Sequence, residues 1–164
     1  MDAVLEDFRQ TVESSAERLR LMTEAEILRR RTPEKWSPKE IIGHLIDSAA
    51  NNHQRFVRGQ FQDDLLFAGY EQEQWVAAQH YREASWPLLI ELWRTYNLHL
   101  LHLVSHIPAH KLKRQHQAHS LHKIAWQLVK EDEPATLEYL IRDYIAHLKH
   151  HLRQIFEDER ARAS

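Results

Sequence analysis

Apolar residues recur along this chain at alternating spacings of three and four, which is the period of an amphipathic helix. The first run begins at Asp2 and continues to about Arg31, where Thr32-Pro33 ends it because the residue before a proline avoids helical backbone angles. Its apolar seam follows Leu5, Phe8, Val12, Ser15, Leu19 and Met22. The pattern predicts a first long helix over residues 2–31.

The start of a second helix carries strong local signals. Ser37 is a good N-cap, Pro38 occupies the first helical position, and Glu40 lies three residues after the cap, as a capping box requires. Apolar residues continue from there at helical spacing. We predict that this helix ends near Gly59.

Two further helices are predicted by the same periodicity. The third starts at Ser85, a candidate cap, and Pro108 closes it. The fourth opens at Pro134 and runs to about Arg160.

Long connections follow the second and third helices, over residues 59–84 and 109–133. The first contains a short predicted helix at about residues 71–80. Connections of this length are uncommon in a compact domain unless they cover a functional site. No strand pattern competes with the helices. We therefore predict an all-α four-helix bundle, forming one domain over residues 1–164.

Composition excludes several classes of protein. The net charge of −2 gives no reason to expect binding to nucleic acid or to an anionic membrane. The absence of cysteine excludes disulfides, thiolate metal sites and a cysteine nucleophile. The opening "MDAVLEDFRQ" lacks the basic region and apolar run of a signal peptide, and no stretch has the length of a membrane span. We expect a soluble, cytoplasmic protein.

Histidine is unusually frequent, with thirteen residues, and three of them lie in "YIAHLKHHLRQI". An ideal helix turns about 100° per residue, which places His151 about 60°, His147 about 100° and His150 about 160° from the core direction. His147 and His151 can therefore offer two imidazoles to one metal, whereas His150 faces solvent. A chance pair in a histidine-rich chain is the alternative.

A metal site needs a third ligand from another helix, and His44 is the candidate. It projects about 60° outside the apolar band of the second helix, so it suits a cavity lip and a surface position equally. Asp143, one turn before His147, could accept a hydrogen bond from the second ring nitrogen of that histidine. The projections direct both Asp143 and Asp47 outward, which leaves no strong candidate for a general base.

The sequence also indicates where three other histidines and two tryptophans lie. His116 and His119, in the second connection, are expected at the surface, and His53 is expected to be partly buried. Trp75 and Trp126 lie in the two connections and are candidate walls of a pocket.

Two segments together resemble the DinB superfamily and, within it, the YfiT-like group of metal-dependent hydrolases. They are "KWSPKEIIGHLIDSAANNHQRF" and, much later in the chain, "HLKHHLRQI". In that family one histidine of the second helix and two of the last helix bind a divalent metal, commonly zinc or nickel. Carried onto this chain, the resemblance implies His44, His147 and His151 as the metal ligands.

The resemblance also implies a class of reaction. Members are similar to transferases that use bacillithiol, mycothiol or glutathione, and to a maleylpyruvate isomerase. We expect a metal-dependent thiol S-transferase or hydrolase that acts on a small electrophilic substrate, with a low-molecular-weight thiol as a candidate co-substrate. A homodimer is implied too. The lack of an evident base favours thiol transfer. The alternative is a non-catalytic helical binding or stress protein whose metal is structural or absent.

Overall fold

The computed structural model describes residues 1–163, with side chains described through residue 157. Its helices are α1 (Asp2–Arg20), α2 (Glu24–Ile27), α3 (Pro38–Arg58), α4 (Gln72–Ala78), α5 (Trp86–Ser105), α6 (Ala109–Lys113), α7 (Leu121–Ile124) and α8 (Leu137–Ala163), with a 3₁₀ turn at Tyr81–Glu83. The four long helices α1, α3, α5 and α8 confirm the prediction of an all-α bundle. No helix within this part of the chain is long and apolar enough to cross a membrane.

The long helices bury their apolar seams against one another. α5 packs on both α1 and α3, and α8 packs on the other side of the same pair. At the centre, the ring of Tyr144 meets those of Phe8 and Phe56 edge to face. Its hydroxyl donates to the buried Asn97 Oδ1 at 2.6 Å, so this polar group is satisfied inside the core. This packing fixes α8 relative to α3, the two helices that carry the candidate histidines.

The start of α3 has the predicted capping box. The Ser37 side chain accepts the Glu40 N–H, and the Glu40 carboxylate accepts the Ser37 N–H at 2.8 Å. Arg30 pairs with the same carboxylate. Burial alone would raise the pKa of Glu40, but hydrogen bonds from Arg30 and Ser37 outweigh it and lower this pKa to about 2. The first turn of α3 is therefore held in place just before His44.

The predicted first helix over residues 2–31 is too long. α1 ends at Arg20, and α2 starts a few residues later with its own capping box. The Thr23 side chain accepts the Glu26 N–H, and Glu26 accepts the Thr23 N–H at 2.8 Å. The Thr-x-x-Glu spacing of "TEAE" is a local start signal, and it begins a second, separate helix.

The last helix begins at Leu137 instead of Pro134. The segment before it is extended, because Ala135 exchanges two backbone hydrogen bonds with His116 at 2.8 and 3.0 Å. Thr136 Oγ1 then accepts the Tyr139 N–H at 3.0 Å and caps the helix. A pairing with a distant segment therefore overrides the helix-starting tendency of Pro134.

Two histidines hold the long connections in place, one by bonding to the first connection and one by a bond within the second. His116 Nδ1 donates to the Asp63 carbonyl at 2.7 Å, and His119 Nε2 donates to the Glu133 carbonyl at the same distance. Both histidines are buried, with exposed fractions of 2% and 3%, so the expectation that they lie at the surface is wrong. Leu65 pairs with the 118–120 backbone beside them. The connections thus form a continuous wall over one side of the bundle.

Candidate metal centre

Three histidine side chains from two helices converge on one point. His44 Nε2, from α3, lies 3.2 Å from His147 Nε2, and His151 Nε2 lies 3.0 Å from the same atom. Ligand atoms of all three residues lie within 4.8 Å of one another, and they form the one such group of metal-ligating side chains among the described residues. The structure therefore brings together the three residues named from the sequence.

The spacing of the nitrogens fits a divalent metal. Histidine nitrogens lie about 2.0–2.1 Å from such an ion, so two of them are about 2.9 Å apart in octahedral geometry and about 3.3 Å apart in tetrahedral geometry. The observed separations of 3.0 and 3.2 Å fall between these values. The same cluster can therefore accept an ion with small shifts of the rings.

The three imidazoles are held neutral, as metal ligation requires. Burial is the main cause and lowers the pKa of His44 to about 3, with the neighbouring His151 adding to the effect. Burial and three histidine neighbours lower the pKa of His147 to about 2. Burial also lowers the pKa of His151, although a hydrogen bond with Gln154 opposes it. At neutral pH these side chains offer lone pairs instead of repelling one another as cations.

Cavities lie on both sides of this cluster. The first, of about 300 Å³, is bounded by α3, α8 and the two connections, and both α8 histidines line it. The second, of about 330 Å³, lies on the other side of His151 and has Trp36, Ile41 and Ile155 among its walls. The cluster therefore has access to two spaces of the size that small ligands occupy.

Residues 7–155 match the sequence model of the DinB superfamily. The chain belongs to this superfamily. The solved structure of YfiT from Bacillus subtilis superposes with a TM-score of 0.76 at 20% identity, covering 97% of this chain and 87% of YfiT. YfiT is described as "a probable metal-dependent hydrolase with an unusual four-helix bundle topology". At this level of identity the likeness establishes a shared fold. No curated protein matches the chain.

His44 of this DinB-superfamily protein is fully buried, with an exposed fraction of 0%. Its ring lies against Trp36, with 4.9 Å between ring centroids. Its Nδ1 is buried without a hydrogen-bond partner among the described residues, so aromatic packing orients this ring. The helical projection left the position of His44 open because it assumes one buried face. Residues 38–49 of α3 are buried on all sides.

Gln154 is a residue of the site that the sequence reasoning did not single out. Its Oε1 accepts a hydrogen bond from His151 Nδ1 at 2.9 Å, which leaves the lone pair of His151 on Nε2, the atom facing the cluster. Its amide nitrogen donates to His150 Nε2 at 2.9 Å. The spacing of three residues between His151 and Gln154 on one helix was the available signal.

His150 stays outside the cluster, as predicted, but it is half-buried and does not face open solvent.

The prediction that Asp143 and Asp47 point outward is wrong. Asp143 is 8% exposed and Asp47 is 3% exposed. The Asp143 carboxylate accepts the backbone N–H groups of Trp126 and Gln127, each at 2.7 Å, and these contacts replace the expected one with His147. The projection missed this burial because the second connection, and no helix, covers that side of α8.

Asp143 also sets one wall of the first cavity. By holding the backbone at residue 126, it places the Trp126 ring 5.6 Å from that of His147 and 4.5 Å from that of His150. Trp126 lines the cavity together with Asp143. Trp75, the other candidate wall, instead packs against Tyr70 with 5.0 Å between ring centroids.

Proposed function

We propose that this chain is a divalent-metal-dependent enzyme whose metal is held by His44, His147 and His151. The observation that carries the proposal is the convergence of three neutral imidazole nitrogens beside a cavity. Zinc and nickel both suit imidazole ligands. When bound, such an ion would act as a Lewis acid with an open coordination position. It would lower the pKa of a water or thiol that binds there.

Hydrolysis of a small substrate is the reaction that the cavity supports best. Asp143 lines the same space as His147 and His151, and its position removes the reason for preferring thiol transfer. Burial raises the pKa of Asp143, while the N–H groups of Gln127 and Trp126 oppose that shift. Each carboxylate oxygen keeps a second lone pair, so Asp143 can accept a proton from a water in the cavity and act as general base. The description of YfiT as a probable metal-dependent hydrolase supports this choice.

Thiol S-transfer is the second candidate, and the paired cavities favour it. A transferase must hold a low-molecular-weight thiol and an electrophile on either side of the activating group. The cavity beyond His151, with its apolar Trp36 and Ile155, could receive one partner while the first cavity receives the other.

Metal analysis is the first test of the proposal. Purified protein is expected to hold one divalent ion per chain after reconstitution with zinc or nickel. His147→Ala should lose it, whereas His150→Ala, which removes a neighbouring imidazole outside the cluster, should retain it. A chain that takes up no metal, or that keeps it in His147→Ala, would contradict the proposal and favour a non-catalytic binding protein.

Activity assays distinguish hydrolysis from thiol S-transfer. Metal-loaded protein should hydrolyse a p-nitrophenyl ester or an anilide faster than the apoprotein does. Conjugation of a thiol to monochlorobimane is measured in parallel. Metal-dependent conjugation without metal-dependent hydrolysis would replace the first candidate by the second.

The proposal also includes the assembly and location of the protein. We propose a cytoplasmic homodimer that acts on a small molecule and binds neither nucleic acid nor membranes. Light scattering after size-exclusion chromatography would give the mass of the particle, and a mass of one chain would contradict the dimer.

A further inference from the structure

Among the described residues, one buried cation at the wall of the first cavity has no counter-ion. Arg55, near the end of α3, is 6% exposed and lines the cavity. Its Nη2 donates to the Ala68 carbonyl at 3.0 Å, and its Nη1 reaches Asn52 Oδ1 at 3.4 Å, which is long for a hydrogen bond. No carboxylate of the described residues forms an ion pair with it. Both of its observed partners are neutral.

Neighbouring groups do not supply the missing negative charge. Tyr70 lies close to Arg55, but burial, and then the nearby Asp47, raise the pKa of this phenol, so it is neutral at physiological pH. The Asp143 carboxylate accepts the backbone N–H groups of Trp126 and Gln127 and forms no ion pair with Arg55 among the described residues. An arginine does not lose its proton in a protein, and a buried charge normally has a partner. The charge of Arg55 is therefore available to an anion entering the cavity.

Arg55 lies about three turns of α3 away from His44. His44, Ser48, Asn52 and Arg55 follow one another at spacings of four, four and three, so they lie within an arc of about 80° on α3, with His44 and Arg55 only about 20° apart. The last three all line the first cavity. A helix rises about 1.5 Å per residue, so about 16 Å separates the backbones of His44 and Arg55. The Arg55 side chain shortens the gap, because it reaches back to Asn52.

We propose that Arg55 binds a carboxylate at the end of the substrate that lies farthest from the three histidines. This inference rests on the proposed function, because it places the reacting bond at the histidines and the anion at the far end of the same face of α3. Lys123, an exposed cation at the rim, adds a second positive charge. Asp143 is the one carboxylate lining the cavity among the residues that the structure describes, and its charge favours a single negative charge over a phosphate dianion.

Binding of two matched probes tests the inference without turnover. The probes are 4-phenylbutyrate and 4-phenylbutyramide, which have nearly the same shape and differ by one charge. Calorimetric titration of metal-loaded protein should show the carboxylate binding about tenfold to a hundredfold more tightly, as expected for a charge-assisted hydrogen bond. Arg55→Gln should remove most of this preference, with Lys123 keeping a small remainder, and leave the amide affinity unchanged. Arg55→Lys, which keeps the charge but loses the paired donors, should keep part of it.

Matched controls separate Arg55 from general effects of charge and folding. Arg94→Gln removes an arginine that pairs with Glu13 outside the cavity, and it should leave both affinities unchanged. Circular dichroism checks that each variant is folded. If Arg55→Gln does not fold, the same titrations are made with Arg55→Lys and Lys123→Gln. An undiminished preference for the carboxylate in both variants would overturn the inference.

The same titrations on protein treated with EDTA distinguish the inference from the proposed function. An Arg55-dependent preference should persist without metal, and it would stand even if the chain bound no metal at all. A preference that disappears with the metal but survives Arg55→Gln would mean that the ion holds the carboxylate, and the inference would be wrong. Inorganic phosphate binding more tightly than 4-phenylbutyrate would also overturn the choice of a monocarboxylate.

Discussion

Gly43, the residue before His44, is required by the close approach of an aromatic ring. A methyl group added at this position would lie 2.1 Å from Tyr81 Cδ2 and 2.3 Å from Tyr81 Cγ. Tyr81 is buried, and its hydroxyl donates to Asp47 Oδ1 at 2.7 Å. Gly43→Ala must therefore push this ring away from α3 and weaken its bond to the buried carboxylate.

The change in the free energy of unfolding on Gly43→Ala has three contributions. Forcing an extra methyl into a packed site costs about 1–3 kcal/mol. Losing the Tyr81 hydrogen bond to the Asp47 carboxylate, which keeps the Gln79 amide as a second donor, costs about 1.5–3 kcal/mol more. Alanine recovers about 1 kcal/mol because glycine is a poor helix former. We expect Gly43→Ala to lower the free energy of unfolding by about 3 kcal/mol, which for a chain of this size lowers the melting temperature by about 6–12 °C.

Urea denaturation and thermal melts of three variants test this expectation. Gly69→Ala is the matched control, because its added methyl would meet one atom, Ile124 Cγ2, at an ordinary 3.7 Å. It should change stability little. Tyr81→Phe isolates the hydrogen bond to Asp47 and should cost less than Gly43→Ala. If Gly43→Ala unfolds at the same urea concentration as Gly69→Ala, the Tyr81 ring does not pack on Gly43 and the reasoning fails.

Three other predictions concern the site and its support. Gln154→Leu removes the acceptor for His151 Nδ1 and should weaken metal affinity by about 10–100-fold. Competition with a chelator measures this affinity, and an affinity equal to that of the unmodified protein would show that the contact is dispensable. Asp143→Asn should lower kcat for hydrolysis by about 10²-fold or more while metal content is unchanged, and unchanged kcat would exclude Asp143 as the base. The pKa of Glu40 is lower in the folded state than in the unfolded chain, so its carboxylate stabilises the fold above about pH 4.5, and this contribution is lost as the pH falls toward about 2. Glu40→Gln should therefore cost about 2 kcal/mol at pH 7 and much less at pH 3 in urea titrations, while an equal cost at both pH values would contradict the assignment.

Local signals in the sequence predicted the parts of the structure that depend on one helix. The capping box at Ser37 and Glu40 gave the start of α3, and the spacing of His147 and His151 gave two members of the cluster. The Thr23 capping box was equally local and was missed, because the apolar seam continues past the point where α1 ends. These features can be read from a few neighbouring residues.

Features that depend on the long connections could not be read in this way. Asp143 is buried because the backbone at residues 126 and 127 lies over it, and His116 is buried because it pairs with Ala135 and Asp63. A helical projection compares residues on one helix and contains no information about a loop that folds back from elsewhere in the chain. His44 was ambiguous for a related reason, since the first half of α3 is covered on every side.

The histidine cluster and the cavity wall are therefore built by different parts of the chain. The histidines are positioned by α3 and α8, whose relative placement is set by the core around Tyr144 and Phe56. The wall facing them comes from the connections, which are held by hydrogen bonds to loop carbonyls and to Asp143. Packed cores tolerate little change, whereas loops accept substitutions and insertions. A chain built in this way can keep its three histidines in place while the connections change, so the wall of the first cavity can vary without displacing the cluster.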